Sequence, residues 1–149
     1  MRIVIQRVTR ASVSIEGRVE SAIEKGMMVL LGVGYADTDD DIDWLVKKTI
    51  NLRIFDDSEG VMNLSVKDVA GSILVVSQFT LMASCKKGNR PSYIHAASPD
   101  VSVPLYERFC QRLSESLGKP VATGVFGADM QVELVNDGPV TIVIDSKDK

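Results

Sequence analysis

Two stretches of this sequence hold residues that could do chemistry. The first is Ser77-Gln78-Phe79-Thr80-Leu81, where two hydroxyls and a carboxamide share five positions with an aromatic ring. It follows Ile73, Leu74, Val75 and Val76, a continuous apolar run that must be covered on both faces and so marks a central strand over Ser72 to Leu81. Polar groups delivered at the end of a buried strand are held by a rigid element, which is where a binding site gains precision. Ser77 and Thr80 could equally do no more than satisfy nearby backbone groups. A hydroxyl nucleophile at Thr80 would need an adjacent base. The only histidine, His95, is fifteen positions away in a loop with no acidic partner near it in sequence. A Ser-His-Asp arrangement therefore lacks a base placed by the sequence beside its nucleophile.

The second stretch is Asn136-Asp137-Gly138-Pro139-Val140-Thr141. Asp-Gly tolerates positive φ, and Pro139 fixes its own φ and removes a donor, giving a rigid tip that exposes its backbone. Met130, Val132 and Leu134 alternate with Gln131 and Glu133 before it, and Val140, Ile142 and Ile144 alternate with Thr141 and Val143 after it. The sequence thus predicts a hairpin of two half-buried strands whose turn reverses the chain. Two smaller features carry charge. Lys86, Lys87 and Arg90 surround Gly88 and Asn89 in the loop Met82 to Pro91, and such a cluster either holds phosphates, with affinity but no sequence choice, or is solvated surface. Arg7, within the first strand pattern, reads either as a solvated strand residue or as a guanidinium fork holding backbone carbonyls of another element.

The elements that must position these residues fit one domain over 1–149, long enough for a core without staples. Ile3, Ile5 and Val8, then Val13 and Ile15, predict paired strands over Met1 to Val8 and Ala11 to Ile15, and Met27 to Val33 reads as a buried strand. Thr38 and Asp41 form a capping-box-like pair before Ile42, Leu45, Val46, Thr49 and Ile50 at helical spacing. Arg53 to Phe55 reads as a short strand ahead of a loop tip. Ser102 is expected to begin a second helix, because Pro104 suits a first turn, with Leu105, Phe109, Leu113 and Leu117 as its buried stripe. Gly118 and Pro120 stop it, and Val121 to Phe126 reads as another strand. The fold class is α/β mixed (α+β), a mixed sheet with two main helices.

Composition removes several function classes. Hydrophobic residues make up 45% and charged residues 25%, as in ordinary globular proteins. Cys85, Cys110 and one histidine make neither the usual four-ligand zinc site nor a secreted disulfide framework, so no metal and no cofactor is expected. A net charge of −3 argues against a broad basic face for nucleic acid while allowing a small local patch. No apolar run nears the roughly 18 residues of a membrane span, and the chain opens on a strand pattern, so a cytoplasmic protein without membrane association is expected.

Taken together, Ser77-Gln78-Phe79-Thr80-Leu81 and Asn136-Asp137-Gly138-Pro139-Val140-Thr141 resemble the two signature motifs of the D-aminoacyl-tRNA deacylases, formerly described as D-tyrosyl-tRNA deacylases. Arg7-Val8, Lys87-Gly88-Asn89-Arg90-Pro91-Ser92 and Gly124-Val125-Phe126-Gly127-Ala128-Asp129-Met130 match the family pattern in the same order, so the resemblance covers essentially the whole chain.

The resemblance implies a barrel-like mixed fold and a homodimer with active sites at its interface. It implies hydrolysis of aminoacyl-tRNA esters carrying a D-amino acid, or glycine mischarged on tRNA(Ala), to free tRNA and amino acid, as chiral proofreading in translation. Gly138 and Pro139 match the family's cis Gly-Pro pair, which enters the other subunit's active site and excludes L-amino acids; a fixed backbone wall is a good chiral filter because it cannot swing aside. Arg7 resembles the residue bracing that pair. Catalysis in the family is thought to lean on backbone groups of Ser77, Gln78, Phe79 and Thr80 and on the 2′-hydroxyl of the terminal adenosine, which Phe126 and Met130 would contact. Thr80 matches the position once favoured as nucleophile. Met82-Ala83-Ser84-Cys85 replaces the more usual Tyr-Ala-Asp-Thr, and Tyr93-Ile94-His95 stands where Phe and small residues are common, both beside the loop of Lys86, Lys87 and Arg90 that would meet the tRNA. Phe79 and Val140 side with the D-specific branch rather than with a related animal deacylase whose Gly-Pro is trans. A non-catalytic tRNA-end binding module, favoured by the missing acid-base pair, and a general esterase are the competing readings.

Overall fold

The region expected to hold two paired strands is one strand, β1 (Arg2–Ile15), in the computed structural model, which describes residues 1–149. Both halves alternate as the sequence suggests, but they follow one another in a single strand instead of pairing with each other. The first half pairs antiparallel with β3 (Gly26–Gly32), from Arg2↔Gly32 to Val8↔Gly26. The second half pairs with β2 (Arg18–Ile23), which follows a two-residue turn at Glu16-Gly17.

α1 (Asp39–Asn51) follows, then a small hairpin of β4 (Phe55–Asp56) and β5 (Met62–Leu64), so the short strand lies two residues later than Arg53 to Phe55. β6 (Ser72–Ser77) runs parallel to β3 and is the central strand the apolar run predicts, though it ends before Gln78. After α2 (Pro99–Leu117) only Ala122–Thr123 of the expected strand pairs with β6, as β7; the residues from Gly124 to Met130 leave the sheet. The last strand, β8 (Gln131–Asp145), lies on the other side of β1. Ser21 Oγ donates to Thr123 O at 2.7 Å across the gap between β2 and β7, so the mixed sheet is a nearly closed barrel.

The expected hairpin is the main correction. Both of its flanks pair with β1, so the chain does not reverse between them, and Asn136 to Thr141 is a bulge within β8. Pairing passes from Gln6↔Thr141 to Val8↔Asn136, where β8 advances five residues against two, and then to Arg10↔Val135. Asn136 closes the base of the bulge, its Nδ2 donating to Arg7 O and Val140 O, each at 3.0 Å. Asn, Asp, Gly and Pro serve a bulge as well as a turn, and only the distant partner strand tells the two apart.

Both helices lie on one face of the sheet. Ile42, Leu45, Val46 and Ile50 of α1 and Leu105, Phe109, Leu113 and Leu117 of α2 pack on Ile3, Ile5, Val29, Leu31, Ile73 and Val75. Each fully buried Leu or Ile contributes about 1.5–3 kcal/mol, so this layer dominates stability. A smaller cluster of Val8, Ala11, Val13, Ile23, Met28, Leu74 and Val76 fills the barrel interior. α1 begins as expected, with Thr38 as N-cap and its N–H donating to the Asp41 carboxylate at 2.8 Å. α2 begins earlier than expected: Ser98 is the N-cap and Pro99, the first of two prolines able to fill a first turn, occupies it, leaving Pro104 exposed inside the helix. Gly118 caps the other end at φ 84°, its N–H donating to Ser114 O at 2.9 Å. No helix is long and apolar enough to cross a membrane.

Candidate active site

The end of β6 passes into a 3-10 turn, Phe79–Met82, that forms one wall of a cavity of about 340 Å³. Two close approaches fix this turn. Gly32 of β3 has no side chain where a Cβ would stand 2.9 Å from Leu81 Cβ and 3.1 Å from Gln78 O, and Arg2 Nη1 donates to Leu81 O at 2.7 Å. Arg2 is held in turn by Asp145, which accepts from its Nε at 2.9 Å. Both ends of the chain thus brace the turn that follows the central strand.

The cavity brings together Ser77, Gln78 and Phe79 on one side and Phe126 and Met130 on the other, residues about fifty positions apart. Tyr106 of α2 forms its floor, with its ring edge-on to Phe126 at 5.8 Å and its hydroxyl donating to Val75 O at 3.2 Å. Tyr106 was not singled out in the sequence, where the stripe of α2 comprised Leu105, Phe109, Leu113 and Leu117; nothing in the sequence says that this side of α2 reaches the end of β6.

Tyr106 and its neighbour Cys110 are not ready nucleophiles, and the one carboxylate lining the cavity belongs to the exposed Asp129. Burial pushes the Tyr106 phenol far above its ordinary value, with Cys110 beside it adding to the effect, and burial also pushes the Cys110 thiol up to about 11. Thr80 does not line the cavity, and its Oγ1 accepts from the Gln78 carboxamide. His95 lines a separate cleft with Arg2, Lys86 and Lys147. What the turn does offer is backbone. The Gln78 N–H is taken by Leu31 O at 2.8 Å, whereas the N–H groups of Phe79 and Thr80 precede the bond from Leu81 N–H to Gln78 O at 3.2 Å that opens the 3-10 turn. Donors that open a helical turn without a partner inside it are suited to an anionic oxygen.

Arg7, Gly138 and Pro139 form a second group that does not line this cavity. The Arg7 guanidinium is buried, with Nε donating to Asp137 O at 3.1 Å and Nη1 donating to Ile54 O at 2.7 Å. The Asp56 and Asp137 carboxylates stand 3.4 Å from it. Arg7 therefore has the form of a fork holding backbone carbonyls, one from the bulge and one from the segment before β4. The Gly138-Pro139 peptide is cis, and both residues are exposed at the free edge of β8. Val132, Val135 and Val143 are also exposed along that strand, between 37% and 64%. Lys86, Lys87 and Arg90 sit on an exposed loop closed by paired Ser84 and Ser92, and Lys86 lines the cleft that holds His95.

Residues 4–145 match the family model described as D-Tyr-tRNA(Tyr) deacylase. A D-aminoacyl-tRNA deacylase of Bacteroides thetaiotaomicron is 65% identical over 149 residues, covering 100% of this chain and 99% of that one. A solved structure described as a c-Myc DNA unwinding element binding protein superposes with a TM-score of 0.93 at 42% identity, covering 97% of this chain and 98% of the other. A probable eukaryotic D-amino acid tRNA deacylase has the same fold, with a TM-score of 0.82 at 20% identity and coverage of 96% and 97%.

Proposed function

Because this chain belongs to the D-Tyr-tRNA(Tyr) deacylase family, we propose that it hydrolyses the ester of D-aminoacyl-tRNA to free D-amino acid and tRNA. The observation that carries this reading is the turn after β6, whose Phe79 and Thr80 N–H groups have no partner within the turn and which walls a cavity shared by Ser77, Gln78 and Phe79 with Phe126 and Met130. The terminal adenosine lies against Phe126 and Met130, and the ester carbonyl oxygen is held by those two N–H groups. Water adds to the carbonyl carbon, negative charge collects on the held oxygen, and the ester C–O bond breaks as the ribose oxygen leaves and takes up a proton, with the neighbouring 2′-hydroxyl as its route. Preorganised donors suffice because charge develops where they already point. Thr80 acts through its backbone, and the exposed cations Lys86, Lys87 and Arg90 attract the phosphates of the tRNA arm.

Selectivity rests on a second copy of the chain. The unpaired edge of β8, its exposed valines and the exposed Gly138-Pro139 support a homodimer in which this bulge enters the partner's cavity and blocks L-amino acids. Glycine, lacking the side chain that the wall would meet, is accepted as well, including glycine mischarged on tRNA(Ala). Such an enzyme would work in the cytoplasm, where translation occurs.

The test is hydrolysis of matched D- and L-aminoacyl-tRNA with sedimentation of the same sample. Loss of the D ester alone by a dimer is expected. Equal loss of both esters overturns the selectivity, and tRNA binding with both esters intact makes the protein a tRNA-end binding module. Rapid hydrolysis of simple amino-acid esters would instead mark a general esterase.

A further inference from the structure

We infer that Phe79 and Tyr93 form a stacking platform for the nucleotide bonded to the terminal adenosine, a subsite that rests on the reading above. The two rings meet edge to face with centroids 5.1 Å apart, at an interplanar angle of 67°. Contact between aromatic rings ordinarily goes with burial, yet Phe79 is 55% exposed and Tyr93 41% exposed. Their position is fixed from both sides. Phe79 opens the turn that walls the cavity, and Tyr93 follows the strand-like pairing of Ser84 with Ser92, whose two hydrogen bonds are 2.8 and 2.9 Å long.

The loop between those serines carries Lys86, Lys87 and Arg90, and none of the ion pairs in the structure includes them. Exposed aromatic faces beside unpaired cations are what a single nucleic-acid strand requires, since bases stack on the rings while the cations follow the phosphates. Phe79 belongs both to the cavity and to the ring pair. With the terminal nucleoside in the cavity, the next base of the strand is therefore the one that meets Tyr93. Stacking accepts any base, so this subsite adds affinity for a single-stranded 3′ end and no preference for one tRNA.

The test separates the platform from the ester chemistry. D-aminoacyl esters of adenosine and of the dinucleotide CpA are compared in the wild type, Tyr93→Leu and Tyr93→Phe. Tyr93→Leu is expected to raise KM for the CpA ester about tenfold, the size of one base–aromatic stack, with kcat unchanged and no effect on the adenosine ester. Tyr93→Phe should restore the wild-type value. In a readout independent of activity, an uncharged RNA with 2-aminopurine before its terminal adenosine should lose fluorescence on binding the wild type and Tyr93→Phe but not Tyr93→Leu. Equal changes on both esters, or no quenching by the wild type, would overturn the platform. So would weaker self-association of Tyr93→Leu with both esters unaffected, which would make the pair a subunit contact. A wild type that hydrolyses neither ester refutes the proposed activity, while the quenching still decides the stacking.

Discussion

Gly138 lies so close to the Arg7 guanidinium that a Cβ there would stand 2.9 Å from Arg7 Nη2. The bulge and the buried cation are thus packed as one unit, with the fork of Arg7 spanning Asp137 O and Ile54 O. Arg7→Lys keeps the charge, but a single ammonium cannot reproduce the planar fork. It should leave one buried carbonyl unpaired and lower stability by about 1.5–3 kcal/mol, read from the urea midpoint. The ratio of D- to L-ester hydrolysis should fall with it; unchanged selectivity in a destabilised variant would restrict Arg7 to a structural part.

Thr80→Val removes the hydroxyl and keeps the N–H. Because Oγ1 is engaged by Gln78 and lies outside the cavity, kcat should stay within about tenfold of the wild type. Loss of a true nucleophile costs on the order of 10⁴-fold or more, so single-turnover rates decide between the two outcomes.

Phe126→Leu exchanges an aromatic wall for an aliphatic one of similar bulk. The ring lies against Tyr106 at 5.8 Å and faces the cavity. Loss of base stacking should raise KM for D-aminoacyl-adenosine by roughly tenfold and leave kcat nearly unchanged. A fall in kcat at constant KM would show that the ring positions the turn instead of the base.

Asp41 offers a test in acid. Burial alone would raise its pKa, but hydrogen bonds from Lys147 Nζ at 2.8 Å and the Thr38 N–H at 2.8 Å outweigh burial and hold the carboxyl well below the usual range. A carboxylate whose pKa is depressed by folding stabilises the protein above its unfolded pKa of about 3.9, and that contribution fades as pH falls toward the folded value. Asp41→Asn should therefore be less stable than the wild type at neutral pH, with the gap narrowing below about pH 4. Urea midpoints measured across this range check it, and a constant gap would show that the ion pair contributes nothing to acid sensitivity.

The sequence was most legible where the determinant is local. The Thr38 to Asp41 cap, the stop at Gly118 and the buried strand before Ser77 depend on residues within a few positions of one another, and all three stand as expected. It was least legible where a distant partner decides. The continuity of β1, the bulge in β8 and the placement of Tyr106 under Phe126 depend on elements up to some 130 residues away. The start of α2 was missed for a different reason: Pro99 and Pro104 are both compatible with a first turn, and local rules do not rank them. In the candidate site, Ser77, Gln78 and Phe79 could be found because a polar group ending an apolar strand stands out, whereas the cavity's far wall was reached only through family resemblance.

The register break opposite Arg7 also has a consequence for the architecture itself. In β1 the odd-numbered Ile3 and Ile5 pack under the helices while the odd-numbered Ala11 and Val13 belong to the barrel interior; in β8 the even-numbered Ile142 and Ile144 go with the first group and Leu134 with the second. An unbroken ladder keeps residues of one parity on one face. At the break β8 carries three surplus residues, five against two, and β1 then carries one, two against one, so each strand is inverted by an odd surplus. The Gly-Pro bulge is therefore also the point at which both long strands change sides between two cores. Its length can vary by two residues but not by one without turning Ile142 and Ile144 to the wrong face.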